Sequence, residues 1–301
     1  MAGHQGAVAA VPMAVVPAPV QVAQADTDNQ LVRLWLHGRP ANTTRAYRAD
    51  WERFAGFVHE NPVRAVKLGD VQAYADSLDG LAPATRARRL NVVRSLFAFA
   101  MRIGYLQFNV AAAVKTPTIK DARAERILSE ADTLKLIALE PNTRNSALLR
   151  LIYGAGLRVS ELTGLTWRDV QARDADDTGQ INIFGKGGKT RVVVLSAGSY
   201  AEMIALRSDR DGEDEPVFRS RKGGKLDPSQ VHRIVGKAAR RAGIKAAVSP
   251  HWLRHAHASH ALDRGAPISL VQATLGHASV DTTGRYLHAR PSDSSAKYLA
   301  V

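Results

Sequence analysis

Apolar residues recur at helical spacing along most of the chain, and at clear strand spacing in one region only. Tyr47, Trp51, Phe54 and Phe57 are separated by four and three positions, the repeat of one helix face. The run Asn42-Thr43-Thr44 precedes them with side chains suited to capping, so a helix is predicted to open there. Asp70 is predicted to open a shorter helix carrying Val71, Tyr74 and Leu78. Pro83 opens the longest, with Leu90, Val93, Phe97 and Ala100 inward and Arg94 and Arg102 outward. In all, residues 28–104 predict four helices.

The pattern weakens over residues 108–124, where Thr116-Pro117-Thr118 breaks it, and that stretch is taken as a linker. Beyond it, Ser129 with Asp132 three residues on signals a helix start. Asn145 to Tyr153 is an apolar helix that stops at Gly154 and Gly156. In residues 180–195, Gln-Ile-Asn-Ile-Phe and Arg-Val-Val-Val-Leu flank a turn with three glycines and predict a hairpin. Residues 229–242 predict a basic amphipathic helix. Ser249-Pro250 predicts another start, with the serine as cap, and Leu275-Gly276 a helix stop.

The expected fold is mainly α with a small β-hairpin or sheet. Its expected layout is a disordered tail over 1–27, a helical domain over 28–107, the linker, and an α+β domain over 125–301. The tail is rich in Ala, Val, Pro and Gln, and Pro12, Pro17 and Pro19 break any long helix in it. It lacks the basic start of a signal peptide, and no stretch of the chain is long and apolar enough to span a membrane.

Charge narrows the partner. The 301 residues carry a formal charge of +13, and hydrophobic residues make up 45%, enough for a real core. Lys and Arg outnumber Asp and Glu by 14 to 6 in residues 31–120 and by 27 to 20 in residues 121–301. Two separately basic halves suit a protein that grips a polyanion from both sides. Arg86, Arg88 and Arg89 crowd a helix start, where cations oppose the macrodipole, a placement that makes sense against phosphate. There is no cysteine, so disulfides and thiolate metal sites are excluded, which fits a reducing cytoplasm.

The chemistry concentrates in two places. His251 and Arg254 are three apart on one predicted helical face; Leu275-Gly276-His277 and then Tyr286 follow. Upstream, Arg158 comes after two glycines at the end of an apolar helix, with Glu161 three residues on to hold its guanidinium. The hairpin turn Gly185-Lys186-Gly187-Gly188-Lys189 puts lysines at its tip. These motifs, in this order, resemble the active site of the tyrosine recombinases (phage integrases). The resemblance covers about residues 30–300 and is nearer the two-domain Xer and Cre types.

The resemblance implies an N-terminal four-helix core-binding (SAM-like) bundle and a catalytic domain that close around double-stranded DNA. It implies Tyr286 as nucleophile, forming a 3′-phosphotyrosyl link and freeing a 5′-hydroxyl. Arg158 and Arg254 would hold the non-bridging oxygens, Lys186 would protonate the leaving oxygen, His251 would manage the tyrosine proton, and His277 would hydrogen-bond the phosphate. No cofactor or metal is implied. Partners would be DNA with specific sites and three further copies in a tetramer, with any accessory protein unknown, acting at the nucleoid in the cytoplasm. Lys189, Arg233 and Lys237 join the three arginines of the helix start as candidate DNA contacts.

Rival readings attach to the same residues. A type IB topoisomerase would share the chemistry on one duplex, and a DNA-binding protein without catalysis would share the charge. Tyr298 is a rival nucleophile without a Leu-Gly-His unit before it. The glycine-rich turn joins two strands rather than opening a helix, unlike a nucleotide-binding P-loop. Asp174, Asp176, Asp177 and the run 211–215 sit in polar loops without an apolar shell for metal. His255, His257 and His260 are expected as packing residues, since no carboxylate or cysteine accompanies them at zinc spacing.

Overall fold

Apolar side chains gather in two separate cores, and the chain divides accordingly into units Met1–Lys120 and Asp121–Val301. The computed structural model describes residues 24–118, 127–173, 178–185, 190–277 and 283–284. Lys186, Lys189, Tyr286, Tyr298, the three aspartates of 174–177 and nearly all of the predicted tail lie outside the described residues.

The first unit holds α1 (Asp28–Leu36), α2 (Ala41–Phe57), α3 (Leu68–Ser77) and α4 (Pro83–Arg102). They meet over Leu31, Trp35, Phe54, Val71, Tyr74, Leu90, Val93 and Phe97, all buried. Phe54 is the hub: its ring meets Tyr74 edge-on at 5.0 Å and Phe97 at 6.1 Å. Two starts differ from expectation. Helix α2 begins at Ala41 behind Pro40, without a side-chain cap, because proline's fixed φ already sets the entry. Asp70 stands at the third position of α3 and accepts from the Lys67 amide at 2.8 Å instead of opening the helix.

The second unit starts with α5 (Glu130–Ala138), capped by Ser129, α6 (Thr143–Gly154) and the short α7 (Val159–Gly164). An antiparallel sheet follows in the order β1 (Val170–Arg173), β2 (Thr178–Phe184), β3 (Thr190–Leu195). Then come α8 (Ala197–Ile204), α9 (Pro228–Arg241), α10 (Pro250–Asp263) and α11 (Ile268–Leu275). Helix α6 is the central post and packs against α5, α8 and α10. A satellite cluster of Ala258, Val271 and Leu275 fixes α11 against α10. Ser249 occupies the N-cap of α10, but its side chain makes no capping bond; Pro250 at the first position removes one orphan N–H instead. No described helix is long and apolar enough to cross a membrane.

Candidate active site

The site assembles on the C-terminal end of α11. A helix end leaves its last carbonyls without intrahelical donors. Here three arginines from three other elements supply them. Arg191 of β3 donates Nε–H to the Thr274 carbonyl at 2.7 Å, Arg254 of α10 donates Nη2–H to Leu275 at 2.6 Å, and Arg158 donates Nη2–H to Gly276 at 3.1 Å. Cations here also complement the negative end of the helix macrodipole. Gly276 takes the left-handed conformation, φ 62°, that turns the chain out of α11 and presents these carbonyls.

Arg158 is the N-cap residue of α7, and Glu161 is the third residue of that helix. Glu161 accepts from the Arg158 amide and from Arg158 Nη1, both at 2.8 Å. It is also forked by Arg191, whose Nη1 and Nη2 lie 2.9 and 2.8 Å from its two oxygens. Burial alone would push the Glu161 carboxyl up; hydrogen bonds from Arg191 and Arg158 outweigh it and hold the group at about 2. Glu161 is therefore a fixed anion, while about a third of the Arg158 side chain remains exposed.

Arg254 is buried, 5% exposed, and its Nη1 donates to the Gly156 carbonyl, so the loop before α7 and the end of α11 meet on one guanidinium. Gly156 also has positive φ, 62°, and a Cβ there would fall 2.6 Å from Leu275 and 3.1 Å from the His257 ring. His277 follows the turn, with Nδ1 2.9 Å from Thr283 Oγ1. Burial, then the nearby charges of Arg254 and Arg158, push its imidazole down to about 4. His251 stands at the start of α10 with part of its surface in solvent; the neighbouring protein that partly desolvates its ring, and then Arg254, lower its pKa as well.

Of the six residues expected from the sequence, Arg158, Arg254 and His277 thus gather around one helix end, His251 stands one turn before Arg254 on α10 within reach of the charges of Arg254 and Arg158, and Lys186 and Tyr286 lie outside the described residues. Arg191 was missed. In Arg-Val-Val-Val-Leu the charge suggests that residues 192 and 194 face inward. The structure has the other parity, with Val193 and Leu195 buried and Val192 and Val194 exposed, so Arg191 shares the covered face. His257 and His260 are held internally: His257 Nδ1 donates to the Tyr153 carbonyl at 2.7 Å, and His260 Nε2 donates to the Leu128 carbonyl at 3.1 Å. His260 Nδ1 is then the acceptor for the Tyr153 hydroxyl at 3.0 Å. In the acidic run, Asp211 and Glu215 pair with Arg219, and Glu213 and Asp214 with Arg168.

The expected DNA contacts fall on two surfaces. In the first unit Arg86 pairs with Asp79 at 2.5 Å, and the exposed Arg88 is bound to Asp50, a fully buried carboxylate that also holds Arg53 at 3.2 Å. Arg89 is half-buried beside them. In the second unit Arg233 and Lys237 lie exposed one turn apart on α9, beside a cavity that Arg144, Arg221, Lys225 and Arg241 also line.

Comparison with known proteins gives the chain's relatives. Residues 118–293 match the model of the phage integrase family, and residues 33–104 match that of the phage integrase N-terminal SAM-like domain. Among curated relatives, the tyrosine recombinase XerC of Xylella fastidiosa strain 9a5c is 35% identical over 264 residues, covering 83% of this chain and 87% of that protein. The XerC of Rhodospirillum centenum is 36% identical over 289 residues, covering 88% and 82%. In fold, the chain is similar to a lambda integrase dimer bound to a COC′ core site, with a TM-score of 0.73 at 17% identity, covering 89% of this chain and 98% of that one. A post-cleavage complex of the XerH site-specific recombinase on a palindromic difH substrate gives 0.70 at 20% identity, covering 91% and 85%.

Proposed function

The chain belongs to the phage integrase family, and from that membership we propose that it is a site-specific tyrosine recombinase, an enzyme that cuts and rejoins DNA strands. In this reading Tyr286 Oη attacks the phosphorus of a phosphodiester. The P–O5′ bond breaks, leaving a 3′-phosphotyrosyl link and a 5′-hydroxyl. The leaving oxygen takes its proton from Lys186. The tyrosine proton passes toward His251, whose lowered pKa keeps it in the neutral, accepting form at pH 7.

Arg158 and Arg254 are assigned to the non-bridging oxygens, where planar forked donors suit the charge that grows in the transition state. Fixed donors of this kind contribute about 3 kcal/mol each. His277 is assigned a hydrogen bond to the phosphate. Because one ester replaces another, the attack reverses with a different 5′-hydroxyl and exchanges strands. DNA is the partner. A tetramer on two duplexes is the assembly we assign, by analogy with the lambda integrase tetramer that has been solved on a Holliday junction. Residues 28–107 would form the core-binding half of the clamp and residues 125–301 the catalytic half, working on the nucleoid in the cytoplasm.

The observation that carries this reading is the convergence of Arg158, Arg254 and His277 on one helix end from positions up to 119 residues apart. The test is covalent trapping. Nicked duplexes with randomised cores are incubated with the protein, and adducts are isolated and sequenced. The wild type should yield adducts on a defined site, and the Tyr286→Phe variant none while still binding the recovered duplex. Adduct formation by the phenylalanine variant would overturn the nucleophile.

A further inference from the structure

Arg191 has no part in the chemistry above, yet it makes three well-formed hydrogen bonds directly beneath it. We infer that Arg191 is a positioning residue: it occupies both oxygens of Glu161 so that this buried carboxylate cannot close on Arg158, and it ties β3 to the end of α11 that carries the site. The inference rests on the reading of Arg158 as a phosphate ligand.

The Arg191 side chain is 12% exposed, and Nε, Nη1 and Nη2 all donate to protein, to Thr274 and to both Glu161 oxygens. All three donor nitrogens of Arg191 are thus engaged, two of them by the carboxylate that also holds Arg158, so the role assigned to it is to place Arg158. Next, Glu161 has a 4% exposed side chain, and facing Arg158 alone it would draw that guanidinium into the bidentate pair that carboxylates prefer. With Arg191 on both oxygens, Arg158 keeps one side-chain bond to Oε1 and sends Nη2 to the Gly276 carbonyl. The two arginines and one carboxylate carry a net +1, held at the more exposed Arg158. Finally, the chain at Gly276 runs so close to Arg191 that a Cβ would lie 3.1 Å from Nη1 and 3.2 Å from Cδ. Arg191 therefore also sets where the Leu275 carbonyl meets Arg254 and where His277 leaves the helix.

A purely structural clip between sheet and helix is the competing role, and charge separates the two. On the duplex recovered by trapping, single-turnover adduct formation by Arg191→Gln should fall about a hundredfold, the effect of a misplaced active-site group, while duplex affinity stays within a few-fold. Adding Glu161→Gln to that variant removes the anion that captures Arg158 and should restore the rate about tenfold. A clip predicts no recovery, because the double variant loses every bond of the pair. The inference falls if Arg191→Gln cleaves at the wild-type rate or if the double variant is no faster than the single. Should Arg191→Gln show no cooperative melting, Arg191→Lys carries the test: it keeps the charge without the fork, a folded and slowed enzyme supports the inference, and a folded one at full rate overturns it. A wild type that traps no adduct through Tyr286 would instead sink the underlying reading.

Discussion

Arg158 and Arg254 donate to consecutive carbonyls of one helix end, those of Gly276 and Leu275, although 96 positions separate them in sequence. Their surroundings differ. Arg254 is buried and bridges two backbone segments, whereas Arg158 lies at the rim with part of its side chain in solvent.

That difference predicts different losses on truncation. Arg254→Ala leaves the carbonyls of Gly156 and Leu275 without this donor in a buried site, at about 1–3 kcal/mol for each group left unsatisfied. It should lower the melting temperature clearly and abolish adduct formation. Arg158→Ala leaves Glu161 still forked by Arg191, so stability should change by about 1 kcal/mol or less, as for a surface ion pair. Its adduct rate should nevertheless fall about a hundred- to a thousandfold. Melting curves and trapping on both variants decide the matter; an Arg254→Ala protein that melts like wild type would contradict the anchoring role.

Gly276 and Gly265 offer a matched comparison. Both have positive φ, 62° and 84°, but a Cβ at Gly265 meets open space, whereas one at Gly276 meets Arg191. Alanine at either site carries a left-handed backbone penalty of about 1–2 kcal/mol. Both variants should therefore lose stability, Gly276→Ala the more because its Cβ also crowds Arg191, and only Gly276→Ala should slow adduct formation. Equal rates in the two would show that the turn tolerates displacement.

Which parts of this were legible beforehand follows from range. Pro83, Ser129 and Gly276 announce helix ends through local chemistry, and each helix ends or begins beside them. Arg158 stood out because a cation beside apolar helix positions demands a partner, and Arg254 because it shares a predicted helical face with His251. Arg191 did not, since a charge at the end of a strand reads as solvent-facing; its partners Thr274 and Glu161 are 83 and 30 residues away. The edge strand β1 was invisible for a related reason. Its four residues bury no complete side chain, so no alternation marks it. Asp50 hid in the same way, as one more polar position on α2 until α4 covered it.

Asp50 gives the third test. Its buried carboxylate holds two arginines, Arg53 and Arg88, whose side chains remain about half exposed at 51% and 48%. Asp50→Asn keeps the shape and removes the charge that orients them. The variant should bind DNA more weakly, and the slope of log affinity against log salt should become shallower by about one for each phosphate that the arginines no longer engage. Circular dichroism would establish that α2 and α4 persist. An unchanged salt slope would mean that Asp50 only closes the bundle.

Acid should destabilise the second unit in two stages. His277 sits at about 4 instead of the ordinary 6.5. Between those values the unfolded chain takes up a proton that the folded chain refuses, so stability falls as pH drops through this window and levels off below it. His251 and His257, also held low, act in the same direction. Glu161, at about 2 against the ordinary 4.5, adds a second decline as pH falls from 4.5 toward 2. Melting temperature against pH should show both, with His277→Gln flattening part of the first and Glu161→Gln the second. A phosphodiester beside His277 would supply the negative charge that its cationic neighbours deny it, raising its pKa. DNA binding by the wild type should therefore take up protons below pH 6.5 and tighten on mild acidification. The His277→Gln variant should lose most of that dependence, and a wild-type affinity flat across the window would remove the phosphate from His277's reach.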